Sequence, residues 1–146
     1  MQFLVSAIAL TAFAASGSDR VAVKVAGSVA KPHTLLLMST EATLALAIER
    51  TGGISESGSD VIYIVYANDG ARYSQKIRAR DLYAADADYR LPDGTAVYVL
   101  NCVGAGLGNL SPTEYAVLQE AQKKYLERLS KGKVRILDLN EIPKEG

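Results

Sequence analysis

Between Val21 and Pro32 the chain reads VAVKVAGSVAKP, a run that few backbones accommodate. Val21, Val23 and Val25 alternate with Ala22, Lys24 and Ala26, the period of two that sends one set of side chains into a core and the other to the opposite face of a sheet. Gly27 breaks the alternation where a strand can bend or bulge, and Pro32, with no amide hydrogen to give, stops the ladder. The apolar run Thr34–Met38 follows at once, so the two segments read as a hairpin.

Next come Ser39-Thr40-Glu41 and ATLALAIERTGG. Leu44, Ala47 and Ile48 fall on one helical face, Ser39 or Thr40 is placed to cap the start, and Gly52-Gly53 ends the helix. This short helix is expected to cross the sheet. The run Asp60–Ala67, DVIYIVYA, is apolar on both faces, as in a central strand covered on both sides. Asn68-Asp69-Gly70 is a turn, and ARYSQKIRARDL supplies the following strand. Along it Arg72, Ser74, Lys76, Arg78 and Arg80 share one face and form a basic stripe. After a turn at Leu91–Gly94, Ala96–Val103 is one more apolar strand.

Gly104, Gly106 and Gly108 then make a connector. Its G-x-G-x-G spacing does not fit a dinucleotide-binding loop, so residues 104–110 are read as a hinge. Ser111-Pro112-Thr113-Glu114 opens a helix with an N-cap, a proline in the first turn and a capping box. Tyr115, Leu118, Gln122, Tyr125, Leu126 and Leu129 give that helix one packing face, Lys131-Gly132-Lys133 closes it, and Val134–Leu139 is a last short strand. The stripe of Tyr115, Leu118, Tyr125 and Leu126 is most simply core contact with the parent sheet, and a helix laid in a partner's groove has the same pattern.

The chain starts MQFLVSAIALTAFAASGSDR, apolar from Phe3 to Ala15 except for Ser6 and Thr11. Such a run is short of the roughly 20 residues that cross a bilayer but has the length of a signal-peptide h-region. With the small residues Ala12 and Ala14 near its end, residues 1–15 read as a signal peptide, placing a mature chain without a transmembrane span in the periplasm or outside the cell. The alternative is a buried N-terminal element of a cytosolic protein. Sixteen basic and sixteen acidic side chains cancel, so net charge gives no general attraction to nucleic acid. Cys102 is the one cysteine and His33 the one histidine. An internal disulfide is excluded, and neither a metal site, a cofactor site nor a nucleophile with its base emerges, so no enzyme is expected.

Three segments together resemble the SLBB domain, the soluble-ligand-binding variant of the β-grasp fold. Val23-Lys24-Val25-Ala26-Gly27-Ser28-Val29 followed by Pro32-His33 is similar to the family's V-x-V-x-G-x-V strand and its proline, with His33 where glycine is usual. Thr51-Gly52-Gly53 resembles the Ala-Gly-Gly helix end, and Leu91–Val99 resembles L-x-x-G-D-x-V-x-V with Thr95 at the acidic position. The resemblance implies an α+β chain: a β-grasp (ubiquitin-like) sheet with one crossing helix over residues 19–103, extended by a C-terminal amphipathic helix and short strand over 111–146. It also implies a non-catalytic binding or assembly module of the kind found in bacterial polysaccharide export.

Two functions follow as expectations. One is an exported module binding a glycan or other soluble ligand, with Arg72, Lys76, Arg78 and Arg80 as contacts, because arginine grips carboxylate or phosphate with two parallel hydrogen bonds. The other is an assembly protein that docks an export-machinery protein or a second copy through Tyr115, Leu118, Tyr125 and Leu126.

Overall fold

The computed structural model describes residues 19–103, 106 and 110–142. The expected signal peptide and most of the glycine-rich connector lie outside the described residues.

The valine alternation forms β1 (Arg20–Gly27), which pairs antiparallel with β2 (His33–Met38). Helix α1 (Leu44–Arg50) follows, then β3 (Gly58–Asn68) and β4 (Ala71–Arg78), joined by the Asp69-Gly70 turn. Helix α2 (Ala79–Ala84), the short strand β5 (Ala87–Tyr89), β6 (Thr95–Asn101), helix α3 (Pro112–Ser130) and β7 (Arg135–Leu137) complete the order. The main sheet is mixed, in the order β2-β1-β6-β3-β4, with β1 and β6 parallel and the other neighbours antiparallel. The fold class is thus α+β.

Val21, Val23, Val25, Leu35, Leu37, Ile62, Ile64, Val97 and Val99 make the inner face of the sheet. Leu44, Ala47 and Ile48 of α1, Leu82 and Tyr83 of α2, and Leu118 and Tyr125 of α3 pack in the same core, as do Val134, Leu139 and Ile142. The C-terminal segment is therefore part of this core, not an appendage beside it.

Local sequence misplaces four features. β6 is the middle strand, and β3 is buried on both faces only at its start. Neither Ser39 nor Thr40 caps α1: both lie in a 3-10 turn, and the helix starts after Thr43. Asp88, remote in sequence, accepts a hydrogen bond from the Ala45 amide at 3.0 Å and does the capping. β4 stops at Arg78 because Ala79, Leu82 and Tyr83, spaced for a helix, turn inward together, and this carries Arg80 into α2. Finally, β7 pairs parallel with β5 in a separate two-stranded sheet.

Gly27 explains the bend after β1. Its φ is +88°, and a Cβ there would run into the Val99 carbonyl oxygen. Without one, the Ser28 amide donates to that oxygen at 2.8 Å. Gly27→Ala is expected to lose about 3 kcal/mol or more in urea unfolding, from the left-handed backbone and the clash together. Gly70→Ala, with an equally positive φ of +82° but open space around it, should lose only about 1 kcal/mol. Tyr125→Phe removes the hydroxyl that donates to the Ala87 carbonyl at 2.7 Å and should lose about 1–2 kcal/mol.

Candidate functional site

The face of the sheet turned away from the core carries the alternate residues of each strand. Tyr63 of β3 lies directly between Lys76 of β4 and Tyr98 of β6 in the pairing register. Tyr98 in turn stands opposite Ala26 of β1. One residue pair further along, Ser74, Val65, Ala96, Lys24 and Thr34 form a second cross-strand row. Tyr63, Val65, Ala96 and Tyr98 are half-buried, whereas Lys24, Arg72, Ser74 and Lys76 are exposed. Neighbouring strands are about 4.8 Å apart, so two phenol rings and the cations beside them share a surface roughly three strands wide.

The expected basic stripe divides. Arg72 and Lys76 remain on this outer face, but Arg78 and Arg80 converge on Asp60 at the start of β3. Arg78 grips it with both ends of its fork, Nη2 to Oδ1 at 2.8 Å and Nε to Oδ2 at 3.1 Å, while Arg80 donates from Nε to Oδ2. Asp60 is only 3% exposed, so an unpaired charge there would be costly and the two guanidinium groups have a structural task. Asp60 precedes its partners by 18 and 20 residues, and nothing beside it in sequence announces the cluster.

Burial by itself would raise the Asp60 carboxyl. The hydrogen bonds from Arg78 and Arg80, together with their charges, outweigh burial and hold it below the ordinary value of 3.8. Asp88 goes the other way, because its burial outweighs the hydrogen bonds from the Ala45 and Tyr89 amides, and its carboxyl is raised.

The helix stripe of Tyr115, Leu118, Tyr125 and Leu126, open in sequence to core or partner contact, faces the chain's own core. Tyr125 is fully buried, tilted against Tyr83 with ring centroids 5.5 Å apart, and covered by the Arg128 guanidinium. Leu118 is buried, Leu126 packs against the core, and the Tyr115 hydroxyl donates to the Ile54 carbonyl at 2.9 Å. Cys102 is buried with Sγ 3.4 Å from the Gly58 carbonyl, and His33 is exposed at the start of β2. Among the described residues no three His, Cys, Asp or Glu side chains gather as metal ligands. No described helix is long and apolar enough to cross a membrane.

The three motifs meet in space. The Ala30 amide donates to the Gly53 carbonyl and the Lys31 amide to the Thr51 carbonyl, joining the first motif to the second. Asp93 accepts from the Ala22 amide at 2.7 Å and the Gly94 amide donates back to the Ala22 carbonyl, joining the first to the third. The SLBB domain family matches this chain over residues 21–99, the span those contacts enclose. The chain belongs to the SLBB domain family. That family is one of ligand-binding domains, and the SLBB match runs from β1 through most of β6. No curated protein matches the chain.

The two buried acids of this SLBB chain oppose one another in their pH dependence. In acid the unfolded chain protonates at Asp60 before the folded one does. Its contribution to stability is therefore full above about pH 4 and is lost as pH falls through the lowered folded value. Folded Asp88 holds its proton longer, so its contribution is present below about pH 4 and is lost as pH rises through the raised folded value. Urea midpoints followed from about pH 2.5 to 7 should show Asp60→Asn flattening the rise out of acid, and Asp88→Asn flattening the later fall. An acid limb that Asp60→Asn leaves unchanged would remove the ion-pair assignment.

Proposed function

We propose that this chain is a non-catalytic β-grasp module that binds an acidic polysaccharide on its outer sheet face, as an accessory to envelope polysaccharide export. The β-grasp reading is supported by the strand order β2-β1-β6-β3-β4, the parallel pairing of β1 with β6, and α1 packed over the inner face. The observation that carries the function is the cross-strand row Lys76-Tyr63-Tyr98, flanked by Arg72 and Lys24. A phenol ring presents a broad apolar body with a polar tip, which suits the carbon-bound hydrogens and hydroxyls of a sugar ring. Cations at its side select sugars that carry carboxylates, and arginine holds them through two donors at once.

The reading uses two of the four cations proposed from sequence as contacts, Arg72 and Lys76. Arg78 and Arg80 pair with Asp60 instead and are not among the contacts. A periplasmic or secreted location follows from the leader-like run at residues 1–15 and accords with export machinery as the setting.

Polygalacturonate and neutral dextran, titrated calorimetrically into the full chain, test the proposal. The acidic polymer is expected to bind and dextran to bind at least about tenfold more weakly, with affinity falling as salt is raised. The double change Arg72→Gln, Lys76→Gln should cost about tenfold or more in affinity for the acidic polymer, and Tyr98→Ala should weaken it independently. Unchanged binding by a folded double variant would exclude the outer face as the site.

A further inference from the structure

A cavity of about 380 Å³ lies between α2 and the first turns of α3, on the helical side of the sheet. Its walls are apolar, drawn from Tyr83 and Ala84 of α2 and from Val117 and Leu118 of α3. Its polar groups are Arg80 with Asp60, and Thr113 and Glu114 in the first turn of α3. We infer that this cavity binds a small amphipathic monoanion, its apolar body held between the two helices and its carboxylate on Arg80. The inference is independent of the outer face and goes beyond the glycan reading.

Charge and donor geometry carry it. Arg80 gives Asp60 only its Nε hydrogen, and a guanidinium has four further N–H donors on its terminal nitrogens. Its side chain is 63% exposed, and the Asp60 carboxylate is shared with Arg78, so Arg80 is only partly neutralised by it. The Thr113 hydroxyl lies on the same lining at the start of a 19-residue helix, where the helix dipole favours negative charge. Within the walls, Tyr83 contributes an apolar surface and is itself 3% exposed.

The acids set the limit on ligand charge. Glu114 also feels Arg80, and its carboxylate is engaged by the Ser111 amide at 2.9 Å in the capping box. Asp60 and Glu114 both lie close to Arg80 and repel a doubly charged ligand more than a singly charged one, which favours a carboxylate over a phosphate. Size sets the other limit. The space between the two helices suits a medium-length acyl chain or one substituted ring.

Octanoate titrated into the full-length protein, followed by amide chemical-shift mapping and calorimetry, tests the inference. Saturable binding to one site is expected, with shifts concentrated in α2 and the first turns of α3. 1-Octanol should bind at least about tenfold more weakly, inorganic phosphate should produce no such shifts, and Arg80→Gln should cost about tenfold in octanoate affinity. Ala84→Phe, at an exposed position on the cavity wall, should abolish octanoate binding while leaving the folded spectrum intact. Should that variant not fold, Val117→Trp at the 64% exposed rim residue takes its place. Octanol binding as tightly as octanoate, wild-type affinity in Arg80→Gln or in a folded wall variant, shifts concentrated elsewhere, or no saturable binding would each overturn the inference. Polygalacturonate binding is a separate measurement on other residues, so failure of either assignment leaves the other intact.

Discussion

Main-chain hydrogen bonds from residues 28–31 hold the helix end, the middle strand and the first hairpin in one arrangement. The Ser28 amide reaches Val99, the Ala30 amide reaches Gly53, the Lys31 amide reaches Thr51, and the Ser55 amide returns to the Ser28 carbonyl, all within 3.0 Å. These bonds depend on backbone direction, which Gly27 permits, and hardly on side-chain identity. That accounts for the family substitutions the chain tolerates. Thr51 replaces the usual alanine inside the core, where its hydroxyl donates to the Ile48 carbonyl at 2.9 Å. Thr95 stands at the acidic position and donates to the Pro92 carbonyl at 2.6 Å, closing the turn on itself.

The parts of the fold that were legible in the sequence are those decided within a few residues. Val21, Val23 and Val25 declare a half-buried strand, and Ser111 through Glu114 declare a helix start, because the periodicity and the cap are both local. Contacts between distant residues were not legible. The alternation of cations from Lys76 through Arg78 to Arg80 invites a continued strand, and only the inward pull of Ala79, Leu82 and Tyr83 ends it. Asp60 looks like the polar start of an apolar strand until β4 folds back and brings Arg78 to it. The cap of α1 was sought among neighbouring hydroxyls, yet it comes from Asp88, 43 residues away from the amide it accepts. The row Lys76-Tyr63-Tyr98 requires the register of three strands, which no single segment contains.

Asp60 and Asp88 show how one small core treats two buried carboxylates differently. Asp60 meets two cations at the margin of the sheet, so the charged form is favoured despite burial. Asp88 receives two backbone amides and, among the described residues, no cation, so burial prevails. The same field raises the hydroxyls of Tyr83 and Tyr125, through burial first and the nearby Asp88 second. Both phenols therefore stay neutral at ordinary pH, and the junction of α2 with α3 is a mostly neutral layer with Arg80 and Arg128 at its margins.

The parallel pairing of β1 with β6 also governs when the molecule can assemble. Val23 is matched to Thr95, 72 positions later in the chain, so the sheet has no middle until β6 has been synthesised. Before then the two hairpins share no strand boundary, and the inner faces of both are open to water. Closing a loop of that length precedes the stabilisation that it brings, which places this domain among slower folders for its size. Even then the core waits for Leu118, Tyr125 and Val134, which follow Asn101 in the chain.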